Sequence, residues 1–408
     1  LRIADIEVIN LHFVYPPDEG FRYAGGRVTG RVASIIRVTT DDGMTGLGAA
    51  YSYPDLVGLI VSRQFKPMLL GCDPLEIGTL WDKMYQMTRW YGRKGAAITA
   101  LGGIDIALWD LRGKVLGKPV YKLLGGMRNS VPAYASGLFW HDDVRHLEKE
   151  AIRHRDRGFT RVKMRIGHSE EYDMDAVGAV RRGVGCEGDI LVDGSHRYTL
   201  ETAERIGNFL ADKKVFWFEE PFPPEDLDSF VSLRQRLNVP LAAGENEFGV
   251  QGFRELLRAN AVDIAQPDAS RTGGISECVR IARMAADFGV RVAPHTWSDA
   301  VAVTANAHFI AATPNSITVE IDQTGNPFVE DLLAEPLKIK DGLLSLSDRP
   351  GLGIDLNFDT LKKYTLPPGQ AIPNGNYSDL FFGQEFWTVP SPYTMCKEGR
   401  NKVIGKTV

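Results

Sequence analysis

Chemistry in this chain is concentrated between residues 163 and 320. Short apolar runs there end in Lys163-Met164-Arg165, Asp193, Glu219, Glu245, Asp268, His295 and Glu320. Asp193, Glu219 and Glu245 follow one another at intervals of 26 residues. Three carboxylates brought together repel unless a cation sits between them, and ligation by oxygen alone favours a hard ion such as magnesium. One acidic residue at a strand end is most often a helix cap or a salt-bridge partner. Five in phase, with a histidine among them, point instead to a metal site and a titrating group beside it.

The elements that must position these residues follow from the same runs. Apolar stretches of four to six residues, bounded by Gly, Pro and acidic residues and separated by helical patterns, read as alternating βα units. Such units close into a parallel barrel whose strands deliver their C-terminal ends to one mouth. Eight strands are expected, at 131–136, 160–165, 189–193, 215–219, 240–245, 262–266, 290–294 and 317–321. A helix with apolar periodicity at 275–288 is typical of the intervals.

A barrel accounts for roughly 200 to 250 residues of the 408, so a smaller second unit is expected. Strands at 2–14 and 32–39 flank a loop at 15–30 that is rich in Gly and Pro and carries Arg22, Tyr23 and Arg27; it reads as a connector or a substrate lid. Asp41-Asp42-Gly43 is a hairpin turn, a third strand runs to Gly48, and residues 51–55 form a second candidate lid. Helical patterns fill 56–116. The small residues of 100–114 permit close helix packing, and Asp105 and Asp110 within them read as structural. The division expected is a capping domain over 1–126, the barrel over 127–325, and a segment over 326–408 that returns to the cap.

Composition excludes several classes. A net charge of −5 offers no basic excess for nucleic acid. Cys72, Cys186, Cys278 and Cys396 are scattered without Cys-x-x-Cys spacing, which suits a reducing compartment and argues against zinc. No run of about 18 apolar residues predicts a membrane span, and the N-terminus has no leader pattern. A cytoplasmic enzyme of small molecules is the expectation.

These residues resemble the enolase superfamily, in its mandelate racemase subgroup, over nearly the whole chain. The run from Ala100 to Gly125 resembles the family's first signature; Asp193, Glu219-Glu220-Pro221 and Gly244-Glu245 resemble its three magnesium ligands; Asp268 with His295 resembles its Asp–His dyad, and Glu320 its final-strand carboxylic group. The resemblance implies a (β/α)7β barrel under an α+β cap built from both chain ends. It also implies Mg2+, a small sugar acid as substrate, and a homo-oligomer. His295 would be the base, Asp268 would fix its tautomer, Lys163 would place a positive charge beside the substrate carboxylate, and Glu320, if protonated, would donate a hydrogen bond to it.

Two positions depart from the pattern. Arg165 stands where the subgroup has the second lysine of Lys-x-Lys, and a guanidinium is too basic to serve as a neutral base. Ser195 stands where an Asn is frequent, two residues after the first metal ligand. With a base on one face only, dehydration of an aldonate such as rhamnonate, lyxonate or galactonate to a 2-keto-3-deoxy acid is expected. Racemisation or epimerisation of a 2-hydroxy acid, and a non-catalytic sugar-acid binder, are the alternatives. Muconate-type cycloisomerisation is disfavoured, because Asp268 stands where that type has lysine. Arg22, Tyr23 and Ser195 are the candidate substrate contacts. Trp140 and Trp297 are candidate walls, and His141 and His196 read as solvent or packing histidines.

Overall fold

In a computed structural model, residues 1–367, 370, 376–377 and 380–382 are described. The N-terminal sheet pairs β1 (Ile3–Val14) with the long β3 (Gly26–Thr40), and β3 also pairs with β2 (Phe21–Tyr23) and β4 (Thr45–Ala50), all antiparallel. The expected loop at 15–30 is therefore in part a hairpin. β-Branched residues in Arg27-Val28-Thr29 continue the strand on which Phe21 to Tyr23 fold back. Helices Ile77–Thr88 and Ala96–Val115 cover the sheet. The second is buried along most of its length because its small residues let backbones approach. A Cβ added at Gly102 would lie 2.8 Å from Gly274 N and 3.0 Å from Ala269 O.

Eight parallel strands form the barrel: β5 (Ser130–Ser136), β6 (Arg161–Arg165), β7 (Asp189–Asp193), β8 (Trp217–Glu219), β9 (Leu241–Ala243), β10 (Ile264–Ala265), β11 (Arg291–Val292) and β12 (Val319–Asp322). Each pairs with the next up to β11, β12 pairs with β5, and a bridge from Val292 to Ser316 closes the ring. Several strands are shorter than their apolar runs, and Glu245 falls beyond the end of β9.

Side chains of Tyr134, Leu191, Trp217, Ala242, Ile264 and Ala293 meet in the interior as one apolar layer. Strand pleating repeats every two residues, so the residue two further on points inward one layer nearer the mouth. Ser136, Asp193, Glu219, Gln266 and His295 hold those positions. On β9 the corresponding residue is Gly244, whose φ of 129° redirects the chain and leaves no room for a side chain against Phe253. Its ligand candidate is accordingly the next residue, Glu245. Several helices that follow are N-capped in register with the strands, by Ser169, Thr199, Asp226 and Asp299.

Polar anchors fasten the cap to the barrel. Asp105 accepts from Ser276 N at 2.9 Å, and Asp110 accepts from Leu47 N at 2.9 Å and Leu352 N at 2.7 Å. Arg31 of β3 reaches the end of β12, where Nη1 lies 2.7 Å from Asp322 Oδ2 with both side chains wholly buried. The C-terminal segment does two things rather than the one expected. The hairpin of β13 (Lys338–Lys340) and β14 (Leu343–Ser345) pairs with barrel strand β5. Only afterwards does the chain return to the cap: Leu366 N bonds Asn10 O, and β15 (Asn376–Tyr377) and β16 (Leu380–Phe382) extend the sheet through β3. Cys72, Cys186 and Cys278 are free thiols, and Cys396 lies outside the described residues. Among the described residues no helix is long and apolar enough to cross a membrane.

Candidate active site

Asp193, Glu219 and Glu245 end three adjacent strands or the turn just after, and each offers an oxygen within 4.8 Å of the others'. Glu219 is fixed by Trp217 Nε1 at 2.9 Å and by Lys163 Nζ at 2.9 Å. Asp193 Oδ1 accepts from Ser195 N at 2.8 Å and from Ser195 Oγ at 3.3 Å. Ser195 thus turns its polar groups on the first carboxylate of the cluster. Glu245 Oε2 is buried without a hydrogen bond. Four carboxylates, with Glu320 as the fourth, face two cations, Lys163 and Arg165. Burial is the largest influence on Glu219 and holds its carboxyl above the usual range. A divalent cation fits on two grounds: all-oxygen donors and an orphaned buried oxygen.

Lys163 Nζ also lies 2.7 Å from Glu320 Oε1, and all three side chains are buried. Burial works to strip the ammonium of its proton, but Glu219 and Glu320 outweigh it and raise the lysine above its ordinary value. Burial likewise opposes the Glu320 charge, yet Lys163, His295 and Arg165 lower it to about 2. Its Oε2 accepts from Thr296 N at 3.0 Å. Glu320 thus faces an ammonium through one oxygen and a backbone N–H through the other.

Arg165 Nη1 lies 3.2 Å from Asp193 Oδ2, with Cζ 5.5 Å from the ring centroids of both Phe139 and Trp297. This planar cation rests against two adjoining aromatic rings, whose centroids are 5.7 Å apart, and one carboxylate. Trp297 is a wall of the site, and Arg31 stacks on it at 5.0 Å. Tyr23 packs on Phe139 at 6.1 Å and Phe21 on the same ring at 4.2 Å, so the β2 hairpin roofs the Arg165 side. Arg22, on that hairpin, is half-exposed and 3.4 Å from Asp142. It sits on the rim. Trp140 lies over Arg197 at 5.9 Å, and His141 is 3.8 Å from Glu150.

His295 Nδ1 lies 2.9 Å from Asp268 Oδ2, and Nε2 lies 3.8 Å from Glu245 Oε2. Burial alone would lower its pKa. The Glu245 charge, the Asp268 hydrogen bond and Glu320 outweigh it and raise it to about 9. A cation held by Glu245 would remove the first of these and bring the imidazole back toward neutrality. In a ring of eight strands, β7 and β11 stand opposite each other, as do β6 and β10. The imidazole and its carboxylate thus approach the mouth from the side facing Lys163, Arg165 and Asp193.

His196, read as a solvent or packing histidine, is partly exposed. It bonds the buried Glu220, which together with Asp193 and Glu245 overcomes burial and raises it to about 9. Phe139, Glu220, Asn246 and Arg271 escaped sequence reasoning. The one signal for them is adjacency, since Glu220 and Asn246 directly follow two acidic strand ends.

Known proteins carry the same architecture. Residues 146–360 match the sequence model of the enolase C-terminal domain-like family, and residues 6–125 match the mandelate racemase / muconate lactonizing enzyme N-terminal domain. D-galactarolactone cycloisomerase of Agrobacterium fabrum is 38% identical over 86% of this chain and 96% of its own. Arabinonate dehydratase of Saccharolobus solfataricus is 37% identical over 80% and 89%. The crystal structure of L-talarate dehydratase from Polaromonas sp. JS666, complexed with Mg and L-glucarate, superposes with a TM-score of 0.79 at 30% identity, covering 90% of this chain and 98% of that one.

Proposed function

The chain belongs to the enolase superfamily, in its mandelate racemase subgroup, and from that premise we propose that it is a magnesium-dependent dehydratase of an aldonate. The carrying observation is the inequality of the two sides of the mouth. His295 with Asp268 is a base in position. Opposite stand two cations, Lys163 in contact with Glu219 and Glu320, and Arg165 against the adjoining rings of Phe139 and Trp297.

Asp268 holds His295 Nδ1, so Nε2 is the nitrogen that takes a proton. His295 removes the proton from C2, and the electron pair passes into the carboxylate as an enediolate. Lys163 and Arg165 are fixed charges in a buried site, where they stabilise negative charge as it develops without reorganising. A magnesium ion held by Asp193, Glu219 and Glu245 supplies further positive charge at the substrate carboxylate. Collapse of the enediolate breaks the C3–O bond; His295 returns its proton to that oxygen, and water leaves. The enol that remains tautomerises to a 2-keto-3-deoxy acid.

A single carboxylate on the substrate suits the rim. Arg22, Arg27 and Arg93 are the cations that a second one could meet, which keeps a diacid as the alternative; the first two pair with Asp142 at 3.4 Å and Asp18 at 3.2 Å. Arabinonate, the substrate named for one relative, joins rhamnonate, lyxonate and galactonate as candidates. A second reading has a specific motive, the 38% identity to a cycloisomerase. If the β-oxygen belongs to a ring, the same proton abstraction and C–O cleavage open that ring and no water is lost.

The test is a screen of these four aldonates, L-talarate and galactarolactone with Mg2+, following carbonyl product and C2 hydrogen exchange in deuterium oxide. Release of a 2-keto-3-deoxy acid from an aldonate is expected. Interconversion of C2 epimers without loss of water would overturn dehydration.

A further inference from the structure

Every loop that follows a charged end on β7 to β10 carries one more polar side chain that the chemistry above leaves unused. His196 lies three residues after Asp193, Glu220 follows Glu219, Asn246 follows Glu245, and Arg271 lies three residues after Asp268. They form one chain of contacts. Glu220 is buried and accepts from His196, from Asn246 Nδ2 at 2.8 Å and from Gly244 N at 3.3 Å. Asn246 Oδ1 accepts from Arg271 Nη2 at 2.9 Å. The Arg271 guanidinium lies 5.2 Å from the Tyr51 ring centroid, and Tyr51 in turn lies 5.4 Å from the His295 ring. Tyr51 N donates to Ser270 O at 2.8 Å.

Two features set this apart from ordinary surface bonding. Ser195, His196 and Glu220 all have positive φ, at 50°, 61° and 34°, a backbone state that non-glycine residues keep only where the surroundings over-determine it. Asn246 also carries an amide, which donates to the Glu220 carboxylate through Nδ2 and accepts from the Arg271 guanidinium through Oδ1 at once.

We propose that His196, Glu220, Asn246 and Arg271 are positioning residues acting as one belt, which sets the spacing of the Asp193, Glu219 and Glu245 carboxylates and ties it, through Tyr51, to the base and the cap. The proposal rests on the reading that those three carboxylates hold Mg2+. Its substance is that ligand geometry is fixed from outside the metal shell, by a line of bonds with a single weak centre at Asn246. Outer partners of metal ligands typically contribute about 10- to 100-fold in metal affinity.

The experiment titrates MgCl2 by calorimetry into the full chain and into Asn246→Leu, Arg271→Met and the double variant, with melting curves in EDTA for each. Asn246→Leu is expected to weaken Mg2+ binding about tenfold or more. A unit fails once, so the double variant should be no weaker than Asn246→Leu, whereas independent defects multiply. Arg271→Lys, which keeps a cation over Tyr51 and a donor for Asn246, should recover most of the affinity lost in Arg271→Met. If Asn246→Leu does not fold, the Arg271 pair still decides. Native affinity in the single variants, or losses that multiply, would overturn the belt and leave the metal reading in place. A native chain that takes up no Mg2+ would overturn both.

Discussion

Asp268 divides its carboxylate between two tasks, and His295 depends on the division. Oδ1 accepts from Ser270 N at 2.8 Å, Ser270 Oγ at 2.7 Å and Asn306 Nδ2 at 2.9 Å, which leaves Oδ2 for His295 Nδ1 at 2.9 Å. The base is oriented by a group that is itself held rigid from three directions.

His295→Asn is accordingly expected to lose C2 exchange with deuterium oxide together with product formation, by about 10²- to 10⁴-fold. Asp268→Asn keeps the imidazole but offers its Nδ1 an amide. It should depress both rates less than His295→Asn and by a common factor. Exchange surviving in His295→Asn while product formation is lost would move the base to another residue.

The metal cluster allows a test that needs no substrate. Mg2+ at a hundred times its dissociation constant should stabilise the native chain by about 2.7 kcal/mol. Asp193→Asn, Glu219→Gln and Glu245→Gln should each abolish most of that gain. In EDTA, Glu245→Gln should melt close to native, because relief of the carboxylate repulsion offsets loss of the 3.8 Å pairing of Oε2 with His295 Nε2. Thermal melts with and without Mg2+ measure both, and a Glu245→Gln variant that keeps the full magnesium shift would remove Glu245 from the ligand set.

Much of this site was legible because strand pleating and βα length are strict. The 26-residue interval survives any error of a residue or two in strand ends, and so the acidic ends could be placed while β10 and β11 themselves shrank to two residues each. Side-chain partners across different loops have no such period. Glu320 next to Lys163, Arg165 against Phe139 and Trp297, and His196 on Glu220 are contacts between segments tens to more than a hundred residues apart, set by packing alone. The 15–30 segment misled because Gly and Pro mask the β-branched stretch that continues β3.

Arg165 separates dehydration from racemisation. Its charge is raised above the ordinary guanidinium value by Asp193, Glu219 and Glu320 despite burial, so it collects no proton. The native enzyme should leave the opposite C2 epimer untouched. In Arg165→Lys a shorter, less delocalised cation sits against the same two aromatic rings and can lose its proton when desolvated. Slow deuterium exchange into the opposite epimer is the expected gain, alongside a loss of product formation. Chiral chromatography and proton NMR distinguish the outcomes, and epimer exchange by the native chain would refute the assignment.

His308 offers a pH dependence independent of the metal site. It is wholly buried on the helix Ala300–Ala311, with Nδ1 accepting from Tyr121 N at 3.1 Å and Nε2 donating to Leu352 O at 3.0 Å. Both nitrogens are satisfied only in the neutral ring, and burial, slightly opposed by Leu352 O, lowers the pKa to about 4 from an ordinary 6.5. Above pH 6.5 folded and unfolded chains are both neutral at this position, and its contribution is complete. Between 6.5 and 4 the unfolded chain binds a proton that the folded chain refuses, so stability falls with falling pH, by about 3 kcal/mol over the window at 1.36 kcal/mol per unit. Other groups titrate in the same range, and the comparison must isolate this one. His308→Gln retains an acceptor and a donor without a titrating ring. It should be the less stable protein at pH 7, and the native advantage should shrink steadily between pH 6.5 and 4 in urea unfolding. Parallel stability curves for the two proteins across that window would show that His308 is not a neutral buried ring.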